Sequence, residues 1–315
     1  MISTTLEFLE VTGLFYAGLF VVGVPWSLGL RLRGSLFLVF TPVIGAAVTE
    51  VFAWYVLDLS DIGLHAALPW LMGSSTLASV AIWRVQQRKN FEDTRRITKP
   101  EAASGDLRSL AFMTGLVTTT FILHARWLLG LGHLTIGVLG NNDVASYATV
   151  VRHISVNGYA NAGYIAQNHL GDYAKADVPG MYSLLSQATW ITGRGEWAVA
   201  MPVLFVATLL VAQGLCLLLR RTTCLSWFSS ALLATIAVNT FLFIYISWHY
   251  FIAQLFAMAT LPLFLYLLQH GEADIGRRKT LIVTGIFLVR LVLVYPHMAF
   301  LLPPVLVGIT ALGTG

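Results

Sequence analysis

Residues 35–57 read SLFLVFTPVIGAAVTEVFAWYVL, an apolar run with one charged side chain, Glu50, and one proline, Pro42. The hydrocarbon core of a bilayer needs about 20 apolar residues per crossing helix, so this run is long enough to span one. The pattern recurs along the chain, at Val11–Leu30, Ile62–Ile82, Leu107–Leu129, Trp197–Leu219, Leu225–Ser247, Tyr250–Gln269, Leu281–Val294 and Met298–Leu312. The last two are short and separated by Tyr295-Pro296-His297. Composition points the same way: of 315 residues, 57% are hydrophobic and 11% charged, against roughly 25% charged in soluble domains. Mean hydropathy is +0.75. The expectation is an all-α, polytopic membrane bundle of about nine helices.

Three helices lead, over residues 1–83, followed by a basic linker over 84–106 and a membrane core over 107–315. The linker's basic residues act as a solvated orientation determinant, although they could also meet anionic headgroups. Most of the 19 Lys and Arg fall in alternate short turns, among them Arg31, Arg33, Arg84, Arg88, Arg220, Arg221, Arg277 and Arg278. Positive-inside logic then places these turns in the cytoplasm, with the N-terminus and the 131–196 loop outside. Met1 to Glu10 holds acids and no basic residue, so the first helix reads as an uncleaved anchor. The net charge of +4 belongs to this topology, and nucleic acid is not expected as a partner. Cys216 and Cys224 read as small apolar residues rather than a disulfide framework.

The 131–196 loop concentrates the polar chemistry. Val144, Tyr147, Val151 and Ile154 recur at helical spacing after Asn141-Asn142-Asp143, and Asn157-Gly158 is the expected stop. A second helix starts at Asp177-Val178-Pro179, runs through Leu184, Leu185, Ala188 and Ile191, and ends at Gly193. Both are expected to lie along the membrane surface. Asp143 can cap its helix or act as a general base, with Tyr147 one turn on positioning a phosphate or sugar hydroxyl. Asp177 has the same capping alternative, and Arg152 and Lys175 can meet an anion. His133, His153, His169, Asp172 and Asp177 could assemble around a divalent metal. No tight ligand spacing such as H-E-x-x-H occurs, so no metal or other cofactor is expected.

Four ionisable groups fall inside apolar segments: Glu50, His124, Arg126 and Arg290. Such groups face a bundle interior or a water-filled cavity. A Glu50–Arg126 pair is the structural expectation. Arg290, just before Tyr295-Pro296-His297, is the candidate for a lipid-linked phosphate, through the paired donors of its guanidinium. His249, in Trp248-His249-Tyr250, and His297 complete the candidate substrate-binding set.

In order, Asn142-Asp143, Tyr147, Gly158, Asp177-Val178-Pro179-Gly180, Gly193 and Pro202 resemble the loop of the GT-C superfamily of integral-membrane glycosyltransferases, in its aminoarabinose- and protein-mannosyl-transferase-like members. An Asn stands here for one acid of that family's pair, and Asp177 stands where a Lys or His is common. Ser27-Leu28-Gly29-Leu30-Arg31, with Pro42, Glu50 and Pro69-Trp70, further resembles actinobacterial polytopic membrane proteins. The first resemblance implies inverting transfer of a sugar from a polyprenyl-phosphate donor to a cell-envelope glycan or lipid acceptor on the extracytoplasmic face. Asp143 would deprotonate the acceptor hydroxyl, and Arg290 with Lys175 or Arg152 would stabilise the leaving phosphate. The competing readings are a transporter, flippase or lipid-binding membrane protein, and a non-catalytic assembly subunit.

Overall fold

The computed structural model describes residues 2–60, 62–93, 101–134, 143–158, 179–223, 225–240 and 251–294. All regular structure among them is helical: α1 (Ile2–Gly29), α2 (Gly34–Leu59), α3 (Leu64–Asp93), α4 (Glu101–Gly130), α5 (Asp143–Asn157), α6 (Pro179–Thr192), α7 (Glu196–Thr222), α8 (Trp227–Val238), α9 (Ile252–Tyr266), α10 (Glu272–Ile275) and α11 (Arg277–Val294). A π-helical turn over Leu267–Gly271 makes α9 continuous with α10. Among the described residues five stretches are long and apolar enough to cross a bilayer: Ile2–Gly29, Gly34–Leu59, Leu64–Gln87, Glu196–Thr222 and Ile252–Ile275. The chain is a helical, membrane-embedded protein. Pro25, Pro42, Pro69, Pro202 and Pro262 all sit inside helices, which membrane bundles tolerate when neighbouring groups take up the freed carbonyls. Helix α3 continues to Asp93 and α4 starts at Glu101, so helices extend into both ends of the stretch read as a linker. Gln86, Gln87, Arg88 and Lys89 are good helix formers and nothing there stops the helix.

The helices interlock through small residues and a few polar bonds. α1 and α2 cross backbone to backbone. A Cβ built on Gly23 would strike the Thr41 carbonyl, and one on Gly45 would strike the Leu19 carbonyl. Beside that crossing Thr41 Oγ1 donates to Ser27 Oγ at 2.8 Å, a close approach that only small residues permit.

The basic turns gather at one end. Gln86 Nε2 donates to the Leu28 carbonyl at 2.6 Å, joining the ends of α1 and α3. Asp106 accepts from Ser35 at 3.1 Å and from Arg220 Nε at 3.3 Å, with Arg221 Nη2 at 3.4 Å. That joins the start of α2, the first turns of α4 and the end of α7. Thr222 Oγ1 donates to Gln269 Oε1 at 3.1 Å, bringing in the end of α9.

The two loop helices end as their sequence requires. Gly158 and Gly193 each take positive φ, +63° and +64°, directly after α5 and α6. One expectation fails. Helix α6 does not lie along a surface: Gly180 to Thr189 are all buried, and the helix packs against α1, α2, α3, α5, α7, α9 and α11. The physical reason is its composition. No charged residue occurs from Val178 to Gly193, and its hydroxyls bond back to its own carbonyls, Ser183 to Gly180 at 2.6 Å and Thr189 to Ser186 at 2.8 Å. With no face that needs water, the helix can be buried all round. Helix α5 is half exposed and meets the bundle with Val150, Val151 and Ile154.

The α1–α2 crossing gives a direct test. Gly45→Ala adds one methyl against the α1 backbone, whereas Gly13→Ala adds it where nothing lies within 4 Å. Both gain the same helix propensity, so unfolding titrations in detergent should show Gly45→Ala less stable than Gly13→Ala by ~1–3 kcal/mol.

Candidate functional site

Glu50 is the one charged side chain in α2 between Ser35 and Leu57, and it is 1% exposed. A carboxylate left alone in such a setting is expensive, so a buried cation must answer it. Arg290 of α11 does so, 240 residues along the chain. Its Nε donates to Glu50 Oε2 at 3.0 Å and Oε1 at 3.3 Å, and its Nη2 donates to Oε1 at 3.3 Å. This is the two-pronged carboxylate–guanidinium geometry. The remaining prong, Nη1, donates to Thr260 Oγ1 of α9 at 2.6 Å, and the guanidinium carbon sits 5.6 Å from the centre of the Phe256 ring. Arg290 is 0% exposed. Three helices therefore meet at one neutralised, hydrogen-bonded site.

That geometry corrects two expectations. Glu50 does not pair with Arg126, which is exposed on α4, as is His124. Nor does Arg290 offer paired donors to a lipid-linked phosphate: Nε and Nη2 are committed to Glu50 and Nη1 to Thr260, with no exposed surface. Thr260 escaped notice in the sequence because a Thr within an apolar helix carries no pattern of its own.

The second group lies at the opposite end from the basic turns. Asp143 is the first residue of α5, and Tyr147 follows one turn later, half-buried, its ring 6.0 Å from that of Tyr182 on α6 in an edge-on contact. Ser155 Oγ and Ser186 Oγ, 2.7 Å apart, tie α5 to α6. Gly63, just before α3, leaves room for the Val156 carbonyl, which a Cβ there would strike. His65 Nε2 and Thr189 Oγ1 are 3.0 Å apart and tie α3 to α6. His153 is buried with its Nδ1 3.4 Å from Asn157 Nδ2. Arg152 is exposed. It lies nine residues after Asp143, about 13 Å of helical rise, so the two do not share a turn. His133 is exposed. Lys175, Asp177, His169, Asp172, His249 and His297 lie outside the described residues.

Two polar residues of this group were not anticipated, His65 and Gln187. Gln187 is fully buried, its Nε2 3.9 Å from Met72 Sδ and its Oε1 without a partner among the described residues. The readable signal for both was the uncharged run from Val178 to Gly193, which marks α6 as interior and makes any polar neighbour a packing partner.

Glu50→Ala would leave Arg290 charged, buried and unpaired. Its loss of stability should be about 3–5 kcal/mol, and Glu50→Leu combined with Arg290→Met should regain most of it. Size-exclusion profiles and denaturant titrations of the detergent-solubilised chain measure both. Compared with protein-family models, with curated proteins and with solved structures, the chain gives no significant match.

Proposed function

We propose that the chain is a GT-C-like glycosyltransferase that moves a sugar from a polyprenyl-phosphate donor to a cell-envelope glycan or lipid acceptor. In this reading the chain crosses the membrane about nine times, with the N-terminus and the 131–196 loop on the extracytoplasmic face. The observation that carries it is the seating of α5. A carboxylate-bearing residue, Asp143, opens a helix whose other end is fixed on α3 and α6, and α6 is held on several sides by the membrane helices. An acid at the head of an anchored helix, one turn before a Tyr, suits a base that must hold its position against an acceptor hydroxyl.

The acceptor oxygen would attack the anomeric carbon of the donor sugar. As that C–O bond forms, the bond to the donor phosphate breaks, the hydroxyl proton passes to the Asp143 carboxylate, and polyprenyl phosphate leaves. Tyr147 would orient the sugar or the phosphate. With Arg290 committed to Glu50, the charge that steadies the departing phosphate falls to the loop, to Lys175 in the first place.

The transporter reading has one observation in its favour, the ion pair buried between α2 and α11. Purified chain in proteoliposomes discriminates the two, because a transferase moves no solute or lipid across the bilayer unaided. Asp143→Asn should lower transfer by about 10²–10⁴-fold while leaving membrane insertion unchanged. Mass spectrometry of envelope glycans from cells carrying only that variant checks it, and wild-type glycans from such cells would remove Asp143 from the base role.

A further inference from the structure

We propose that the cleft between α1, α3 and α11 is a binding site for a phospholipid with an anionic headgroup, drawn from the leaflet at the basic end of the bundle. It is independent of the transferase reading. Three adjoining hollows make up the cleft. The first, of about 430 Å³, is bounded by Trp26, Val48, Leu71, Gly285 and Val289. The second, of about 630 Å³, shares Trp26, Val48 and Leu71 with it and continues past Gly29, Ala78 and Ile82. The third, of about 330 Å³, shares Gly29 and Ile82 and ends at Arg31 and Gln86. The path is thus unbroken from Leu71 to Gln86 along α3, about 22 Å at helical rise. One leaflet of a bilayer core is about 15 Å deep, so an acyl chain entering at the Arg31 end fits within it.

The walls are apolar. Gly29, Ala47, Ala78 and Gly285 open the space, and the Ser74 hydroxyl is turned onto the Leu71 carbonyl at 3.1 Å. The surrounding surface faces lipid, with Leu77 and Val80 of α3 and Val292 of α11 exposed. Trp26, a wall of the first two hollows, and Trp83, near the basic end of α3, are both about half exposed.

Charge selects the headgroup. Arg31, which lines the mouth, is exposed, as are Arg33 in the same turn and Arg84 of α3. Of the carboxylates at this end, Asp106 is taken up by Arg220, Arg221 and Ser35, Asp274 accepts from the Tyr266 hydroxyl, and Glu272 is exposed on α10. Arg31 is held at φ +56°, the one non-glycine residue with positive φ among those described. Arg31 is the cationic residue that lines the third hollow. Gln86, which lines the same hollow, has its Nε2 bonded to the Leu28 carbonyl.

The test is native mass spectrometry of the detergent-purified full chain, titrated with dioleoyl phosphatidylglycerol or dioleoyl phosphatidylcholine. The wild-type chain should retain one phosphatidylglycerol and bind it about fivefold more tightly than phosphatidylcholine, the contribution of one arginine near an anionic headgroup. Arg31→Ala should erase that preference while a lipid is still retained. Gly285→Phe and Gly29→Phe fill the cleft from positions where an added Cβ meets nothing within 4 Å. Either one that elutes as the wild type does should lose retention of both lipids. Equal binding of the two lipids by the wild type, or wild-type retention by a folded Gly285→Phe or Gly29→Phe variant, overturns the proposal.

Discussion

A charge buried in apolar surroundings has to be met by an opposite charge and by enough hydrogen bonds to occupy both partners, and this fold is organised around one such demand. Glu50 and Arg290 come from helices far apart in the chain and share a site from which water is excluded. The two-pronged contact fixes α11 on α2 in register and in rotation, because a slip of one turn moves a side chain by about 5.4 Å and breaks both prongs. Thr260 extends the constraint to α9 by taking the last guanidinium prong. On another side of α2, Gly45 meets the α1 backbone at Gly23. Helix α2 is therefore held in two different ways, by charge against α11 and by bare backbone against α1.

Helix α6 occupies the interior that this frame encloses at the end away from the basic turns. It has no charged side chain and satisfies its hydroxyls locally, so it can be surrounded by other helices without stranding many polar groups. The bonds that it does send out, Ser186 to Ser155 and Thr189 to His65, reach α5 and α3. Order passes outward by this route: the bundle fixes α6, and α6 with the turn at Gly63 fixes the half-exposed α5 that begins at Asp143.

The placing of apolar helices along the chain was legible in the sequence, and rotation about a helix axis was not. Apolar runs located α2, α7 and α9 to within a few residues and the end but not the start of α1, which begins at Ile2 rather than Val11. The alternation of basic turns grouped Arg31, Arg84 and Arg220 on one side, where Leu28, Ser35, Asp106, Arg220 and Gln269 form their bonds. The depth argument paired Glu50 with Arg126 and set Arg290 aside for a phosphate. The choice depends on which way each helix faces, and Arg126 faces outward on α4. Periodicity in α6 picked out Leu184, Leu185, Ala188 and Ile191 as one apolar face, of which all but Ile191 are buried. It passed over Ser183, Ser186 and Gln187, which are buried as well. A helix that is interior on every side shows no apolar period; its mark is the missing charge.

The ion pair also constrains the chemistry that the loop can support. A phosphate leaving group needs fixed positive charge close to the breaking bond, and the membrane arginine that stood at a suitable depth is spent on Glu50. Arg152 stands about 13 Å along α5 from Asp143, on a different turn, and is exposed. A base at the head of α5 and a cation that steadies the phosphate must then come from different segments, with the sugar between them. In the proposed transfer, helix α5 would supply the first from a rigid support, and the lysine and aspartate at 175 and 177 belong to the segment that leads into α6. Helix α6 would then set the distance between base and cation, since it anchors α5 on one side and follows that segment in the chain.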